Sequence, residues 1–205
     1  MKPIKRFTEG KIEIREGEDG SKYFEGYGIV FDKESRTMTD FGGQKFREII
    51  TRDAVKNTDF TDVIGRGNHT NAQLLGRTAS GTMTVSVDET GVYYRILKPN
   101  TTIGNDMEEQ IKRGDIVGSS FAFSSPKDKI SRIDKETLLR TITDFPKIID
   151  MGPVVSPAYD PTTANIRSLE AFIDSEEREV EEEIKEKPTK VGLSLADKIK
   201  LERLR

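Results

Sequence analysis

A single histidine, a pair of adjacent serines and an aspartate set in an apolar run are the residues of this chain whose types could combine into nucleophilic chemistry. His69 stands in G-R-G-N-H-T at residues 65–70, a polar, glycine-bearing stretch that follows a strand-like run. It is the one side chain here whose ordinary pKa suits a general base near neutral pH. A lone histidine is more commonly a hydrogen-bonded or surface residue, so its setting is what singles it out: glycines allow close backbone approach, and loop ends carry function. Ser119 and Ser120 stand in G-D-I-V-G-S-S-F-A-F at residues 114–123, where a helix stop leads into an apolar strand. A serine nucleophile needs a rigidly held hydroxyl beside backbone N–H groups that can take up an oxyanion, and a strand serine next to Gly118 meets that need. The plainer reading is a pair of small residues on a strand. Asp150 lies in I-I-D-M-G-P-V-V-S-P-A at residues 148–158, where a carboxylate is costly unless it is paired. Orienting an imidazole is one solution, and bonding to backbone amides is the other. Gly65 and Gly67 complete neither a dinucleotide nor a phosphate-loop pattern, and no G-x-S-x-G elbow is present.

Composition removes other chemistries. The chain has no cysteine and one histidine, which excludes a thiol nucleophile, a disulfide framework and zinc sites built on Cys and His; no cofactor is expected, and only a carboxylate site for a hard cation stays open. With 33 basic against 36 acidic residues, a net charge of −3 and no cluster of Lys and Arg, no nucleic-acid partner is expected. No run approaches the roughly 18 apolar residues of a membrane span, and the first residues lack the apolar core of a signal peptide, so neither membrane insertion nor export is expected and the chain reads as cytosolic.

The elements that must position these residues are mostly strands. Residues 11–15 (K-I-E-I-R) alternate, a turn follows at Glu18-Asp19-Gly20, and residues 22–32 form a long strand bent at Gly26 and Gly28. Residues 82–87 and 92–97, joined by D-E-T-G, make the clearest hairpin. Further strands are expected at 60–69, 118–124, 137–143 and 147–155. Helices are expected at 51–58, capped by Thr51 or Asp53; at 103–113, stopped by Gly114; and from Pro161-Thr162 onward, with Ile166, Leu169, Phe172 and Ile173 on one stripe. The fold class is mainly β with a few helices (α+β), a barrel or sandwich without βαβ rhythm. The 205 residues suit one domain, residues 1–174, with a charged helical or disordered tail at 175–205 in which Val180 and Ile184 are the only large apolar residues before Pro188.

Taken in order, these segments resemble the prohead (capsid-maturation) proteases of tailed bacteriophages, whose barrel is similar to that of herpesvirus assemblins. The resemblance spans about residues 22–168. It runs through G-Y-G-I-V-F at 26–31, F-R-E-I-I-T-R-D-A-V at 46–55 with Asp53 where the family usually has Gly, Asn68-His69, L-L-G-R-T at 74–78, D-E-T-G-V at 88–92, R-G-D-I-V-G-S-S-F-A-F at 113–123 and V-V-S-P-A-Y-D-P at 154–161. It implies a herpesvirus-protease-like β-barrel flanked by helices, with Ser120 as nucleophile and His69 as general base. The third member, a carboxylate seven residues before the Pro157-Ala158 pair, falls on Asp150. Gly152-Pro153 departs from the family's strand there, and Asp144 competes for the role. Candidate oxyanion donors are the Gly118 or Ser119 backbone, or Arg132 or Arg140 by way of water. The implied function is a serine endopeptidase of procapsid maturation, acting inside the phage procapsid in the bacterial cytoplasm on the scaffold or the scaffold-like region of the major capsid protein, and on itself. Assemblins act as dimers, so a homodimer is among the arrangements the resemblance admits. The alternative is a non-catalytic capsid assembly or scaffolding module built on the same barrel, for which the charged tail argues and the retained His69 and Ser120 argue against.

Overall fold

A computed structural model of the chain describes residues 4–40, 42–124, 126–155, 169 and 172–178, with residues 4–10 described by their backbone. Its strands are β1 (Ile4–Glu16), β2 (Lys22–Val30), β3 (Met38–Thr39), β4 (Lys45–Ile50), β5 (Ile64–Arg66), β6 (Leu74–Arg77), β7 (Met83–Val87), β8 (Gly91–Leu97), β9 (Gly118–Ser124), β10 (Lys127–Arg132), β11 (Thr137–Asp144) and β12 (Lys147–Val154). One α-helix, α1 (Thr102–Arg113), lies between β8 and β9.

Eight strands form one sheet in the order β6-β5-β12-β9-β1-β2-β8-β7, and its two edges approach each other so that the sheet is nearly closed into a barrel. Local sequence explains the two hairpins that make up half of it. In β7–β8, the Asp88 carboxylate accepts from the backbone N–H groups of Thr90 (2.7 Å) and Gly91 (3.0 Å), and the alternation of β8 buries Val92, Tyr94 and Ile96 on one face. In β1–β2, Ile12 pairs with Gly26, and β2 slips register against β8 between Tyr27 and Ile29, where the bend predicted at Gly28 falls. Side chains from distant strands meet across the interior, since a Cβ on Gly28 would lie 2.3 Å from the Met151 side chain and one on Gly65 would lie 2.8 Å from Ile96. β9, flanked by β1 and β12, is buried on both faces, which its apolar sequence requires.

The second sheet, β10-β11-β4-β3, pairs β11 with β4 in parallel. At its centre the buried Arg140 binds Glu48 Oε1 through Nη1 at 2.8 Å and pairs through Nε with Asp128. A buried guanidinium is tolerated only with such partners. Its apolar side (Phe46, Ile50, Leu138, Ile142) shares one core with Phe121, Phe123 and Phe145, whose rings pack edge-on or stacked at 4.6–5.9 Å.

The expected helix at 103–113 is α1: Thr101 Oγ1 accepts from Gly104 N at 3.2 Å, and Gly114 ends it at φ 79°. Two expectations need correction. The helix expected at 51–58 is a single 3-10 turn, Arg52–Val55, whose Thr51 makes no side-chain cap bond; it is held instead by Phe145 N donating to Ala54 O at 2.9 Å. The strand expected at 60–69 is only β5, because Asp59 folds the preceding segment into a turn by accepting from Thr61 N at 2.9 Å, and the following Gly67–His69 is a 3-10 turn. Of the helix expected beyond Pro161, Leu169 is buried, Phe172 and Ile173 pack on the core, and residues 172–178 are helical; the expectations for Val180, Ile184 and the rest of the tail lie outside the described residues.

Helix α1 is tied to the barrel by Glu108, whose buried carboxylate meets three lysines: Lys22 and Lys112 at 2.7 Å and Lys98 at 2.9 Å. Hydrogen bonds from Lys112, Lys22 and Lys98 hold its pKa far below the ordinary 4.5. A carboxylate depressed on folding contributes stability that is complete above its unfolded value and is lost as the pH falls below it. Glu108→Gln is therefore expected to lower Tm by several degrees at pH 7, and the gap to the wild type should shrink between pH 5 and about pH 3, as thermal melts followed by circular dichroism would show.

Candidate active site

The two serines of β9 point in opposite directions, as neighbours on a strand must. Ser119 faces the barrel interior, where its hydroxyl and that of the buried Tyr94 are 2.9 Å apart. Burial pushes the Tyr94 phenol up, against the opposing effect of the Ser119 bond, and keeps it a neutral hydroxyl. Ser120 lies on the other face. β12 runs antiparallel to β9, with Gly152 opposite Ser120 and Asp150 opposite Ala122. A register shift between Ile148 and Asp150 sets this arrangement, turning Asp150 onto the face of Ser120 while Met151 joins Phe121 on the interior side.

His69 reaches this face from the far side of β12. β5 runs parallel to β12, with Ile64 beside Asp150 and Gly65 beside Met151, and at Arg66 the chain leaves the ladder and crosses over Gly152. A Cβ on Gly152 would lie 2.3 Å from the Arg66 carbonyl oxygen, so the crossing requires glycine. The departure from the family strand at Gly152-Pro153 thus acquires a reason. The turn itself places Asn68 at φ 48° and His69 at φ 54°, both in the left-handed region. Such strain concentrates at functional sites and persists only where the surroundings enforce it. Here Asn68 does so through both ends of its amide, with Nδ2 donating to Gln73 Oε1 at 3.0 Å and Oδ1 accepting from Val155 N at 2.9 Å.

The outcome is a continuous chain of side chains. His69 Nδ1 lies 2.6 Å from Asp150 Oδ1, and His69 Nε2 is hydrogen-bonded to Ser120 Oγ. An ionised carboxylate can only accept, so Nδ1 carries the imidazole proton and Nε2 offers its lone pair to the Ser120 hydroxyl. All three side chains are buried or nearly so, with Asp150 3% and Ser120 4% exposed, which keeps bulk water from competing for these bonds. The sequence-predicted residues His69, Ser120 and Asp150 are therefore brought together. Asp144 is not among them, since its carboxylate pairs with Lys127 at 3.1 Å. Arg132 and Arg140 are engaged elsewhere, Arg132 with Glu176 and Arg140 with Glu48 and Asp128. One residue that sequence reasoning passed over also belongs to the cluster: Arg66 Nε lies 3.2 Å from Asp150 Oδ2. Its only sequence signal is its place three residues before His69.

No group of three or more His, Asp or Glu among the described residues could hold a metal ion, and no described helix is long and apolar enough to cross a membrane. Gly152→Ala tests the geometry of the crossing. The added methyl meets backbone, which cannot swing aside, so the turn carrying His69 must shift by a large fraction of an ångström. A displacement of that order is expected to lower the rate of any reaction using the three residues about 100-fold, with the melting curve still cooperative.

A sequence model of the caudovirus prohead serine protease family matches residues 9–175. Among solved structures, that of the bacteriophage T4 capsid assembly protease, gp21, is similar, with a TM-score of 0.46 and 14% sequence identity over 76% of this chain and 98% of that one. No curated protein matches the sequence.

Proposed function

Since the chain belongs to the caudovirus prohead serine proteases, we propose that Ser120 is its nucleophile, His69 its general base and Asp150 the carboxylate that holds His69. The observation that carries this reading is the hydrogen-bonded series Ser120–His69–Asp150, with a carboxylate on one imidazole nitrogen and a hydroxyl on the other. In the acylation step Ser120 Oγ attacks the scissile carbonyl carbon while its proton passes to His69 Nε2. The imidazolium that forms is stabilised by Asp150 through Nδ1–H, and it returns the proton to the leaving amine as the C–N bond breaks. Water, deprotonated by the same nitrogen, then hydrolyses the acyl ester and restores the hydroxyl. Each step balances with water as the only co-reactant.

The substrates are the scaffold or the scaffold-like region of the major capsid protein, together with the protease itself, cut inside the procapsid so that fragments leave before DNA enters. The family supports this choice of substrate class. The test is intact mass spectrometry of the major capsid protein co-expressed with this chain. A single defined truncation is expected with the wild type and none with Ser120→Ala. Co-assembled particles whose capsid protein stays full length with both forms would favour the non-catalytic assembly module instead.

A further inference from the structure

Resting on that assignment of Ser120, His69 and Asp150, we propose that Arg66 is a positioning residue of the same site: its guanidinium, set against the second oxygen of Asp150, supplies the charge that holds the His69–Asp150 pair in its working form and so fixes where the acid limb of the activity falls. Asp150 has two oxygens and two partners. Oδ1 accepts from His69 at 2.6 Å, and Oδ2 faces Arg66 Nε at 3.2 Å. The Arg66 side chain is only 13% exposed, so its charge acts on the carboxylate through little solvent. Its Nη1 donates to Asn71 Oδ1 at 2.6 Å, which fixes the guanidinium plane. The Nε–H makes no aligned hydrogen bond despite its proximity, so the coupling to Asp150 is one of charge rather than of a directed bond.

The consequence follows from counting charges. With the imidazole neutral, Arg66 and Asp150 cancel. A proton taken from solvent by the His69–Asp150 pair adds one positive charge beside the guanidinium, and that repulsion disfavours it, whichever of the two residues holds the proton. Without Arg66 the pair is a buried lone anion, which costs free energy and attracts the proton that removes its basicity. From the elements packed against Asp150, the charged or titratable groups among the described residues are Arg66 on β5 and His69 on the turn; β9 presents Ser120 and Ala122. Among the described residues the cation that faces Asp150 is thus Arg66, and the same residue carries the backbone crossing over Gly152.

The experiment measures the rate at which a fluorophosphonate probe labels Ser120 in the full-length chain between pH 5 and 9.5, for the wild type, Arg66→Met and Arg66→Lys, with folding followed by circular dichroism. Arg66→Met is expected to move the acid limb of the profile up by about one pH unit, so that labelling at pH 6 falls about tenfold while the alkaline plateau falls much less. Arg66→Lys is expected to bring the limb back to within about 0.3 unit of the wild type, since a lysine supplies the charge without the fork. Arg66→Gln replaces the methionine variant if that one does not fold. Equal losses at every pH with an unmoved limb, or failure of both neutral variants to fold, would overturn the inference and leave Arg66 a residue of the fold. Absence of Ser120 labelling in the wild type would instead overturn the parent assignment, and the inference with it.

Discussion

Ser120→Ala is expected to leave the fold intact and to reduce peptide-bond cleavage by about 10^4-fold or more, the loss seen when a nucleophile is removed from a triad that works as a unit. The fold should be indifferent because Ser120 makes its bond on the outer face of β9, while the interior face is held by Ser119 with Tyr94 and by Phe121 and Phe123. Ser119→Ala is the informative contrast. It deletes the partner of a buried tyrosine hydroxyl and should lower stability by about 1–2 kcal/mol, while cleavage by the folded fraction stays near the wild-type rate. The two adjacent serines therefore separate a chemical from a structural effect at positions one residue apart. The measurement is the rate of capsid-protein truncation normalised to folded protein, with stability taken from urea melts.

Asp150→Asn is expected to cost about 10^3- to 10^4-fold in cleavage with little change in shape. An asparagine turned to bring its Nδ2 against the imidazole would donate where the carboxylate accepts, driving the histidine proton onto Nε2, where it blocks the lone pair that must take the proton of Ser120. A second effect adds to this one, because the neutral amide leaves the Arg66 guanidinium facing no carboxylate in a nearly buried position. Asp144→Asn is the control. Its carboxylate meets a lysine side chain that is 79% exposed, and its loss should change cleavage by less than about twofold. A large effect at Asp144 and a small one at Asp150 would reverse the assignment.

The sequence made legible what is local. Alternation and D-E-T-G place the β7–β8 hairpin, Thr101 and Gly114 bracket α1, and the apolar run from Gly118 gives β9. His69, Ser120 and Asp150, which the fold brings together, stood out as candidates, but the sequence left Asp144 in competition with Asp150. That choice depends on a register shift in β12, which decides the face on which a residue lies and leaves no mark in the alternation. The short β5 and the turn after it were hidden for a similar reason. The segment reads as a continuing strand, but Arg66 crosses Gly152, distant in sequence, and the left-handed turn at Asn68 and His69 that follows is held by Gln73 and the Val155 backbone. β10, K-D-K-I-S-R, carries no apolar alternation at all, since its charges serve Arg140 and the surface. Its pairing with β11 is a hairpin closed by Asp134, which accepts from the backbone N–H groups of Glu136 and Thr137 at 2.9 Å, whereas the parallel pairing of β11 with β4 is a long-range event without a local signal.

The proposed mechanism requires that Ser120, activated by His69, be the nucleophile. Its most direct test is to treat the folded chain with a fluorophosphonate at pH 8 and locate the adduct by peptide mass spectrometry, alongside Ser120→Ala and His69→Ala. One adduct, on the peptide carrying Ser120 and absent from both variants, is the predicted result. A wild-type chain that truncates the capsid protein yet carries its adduct on another residue, or labels equally well without His69, would contradict it.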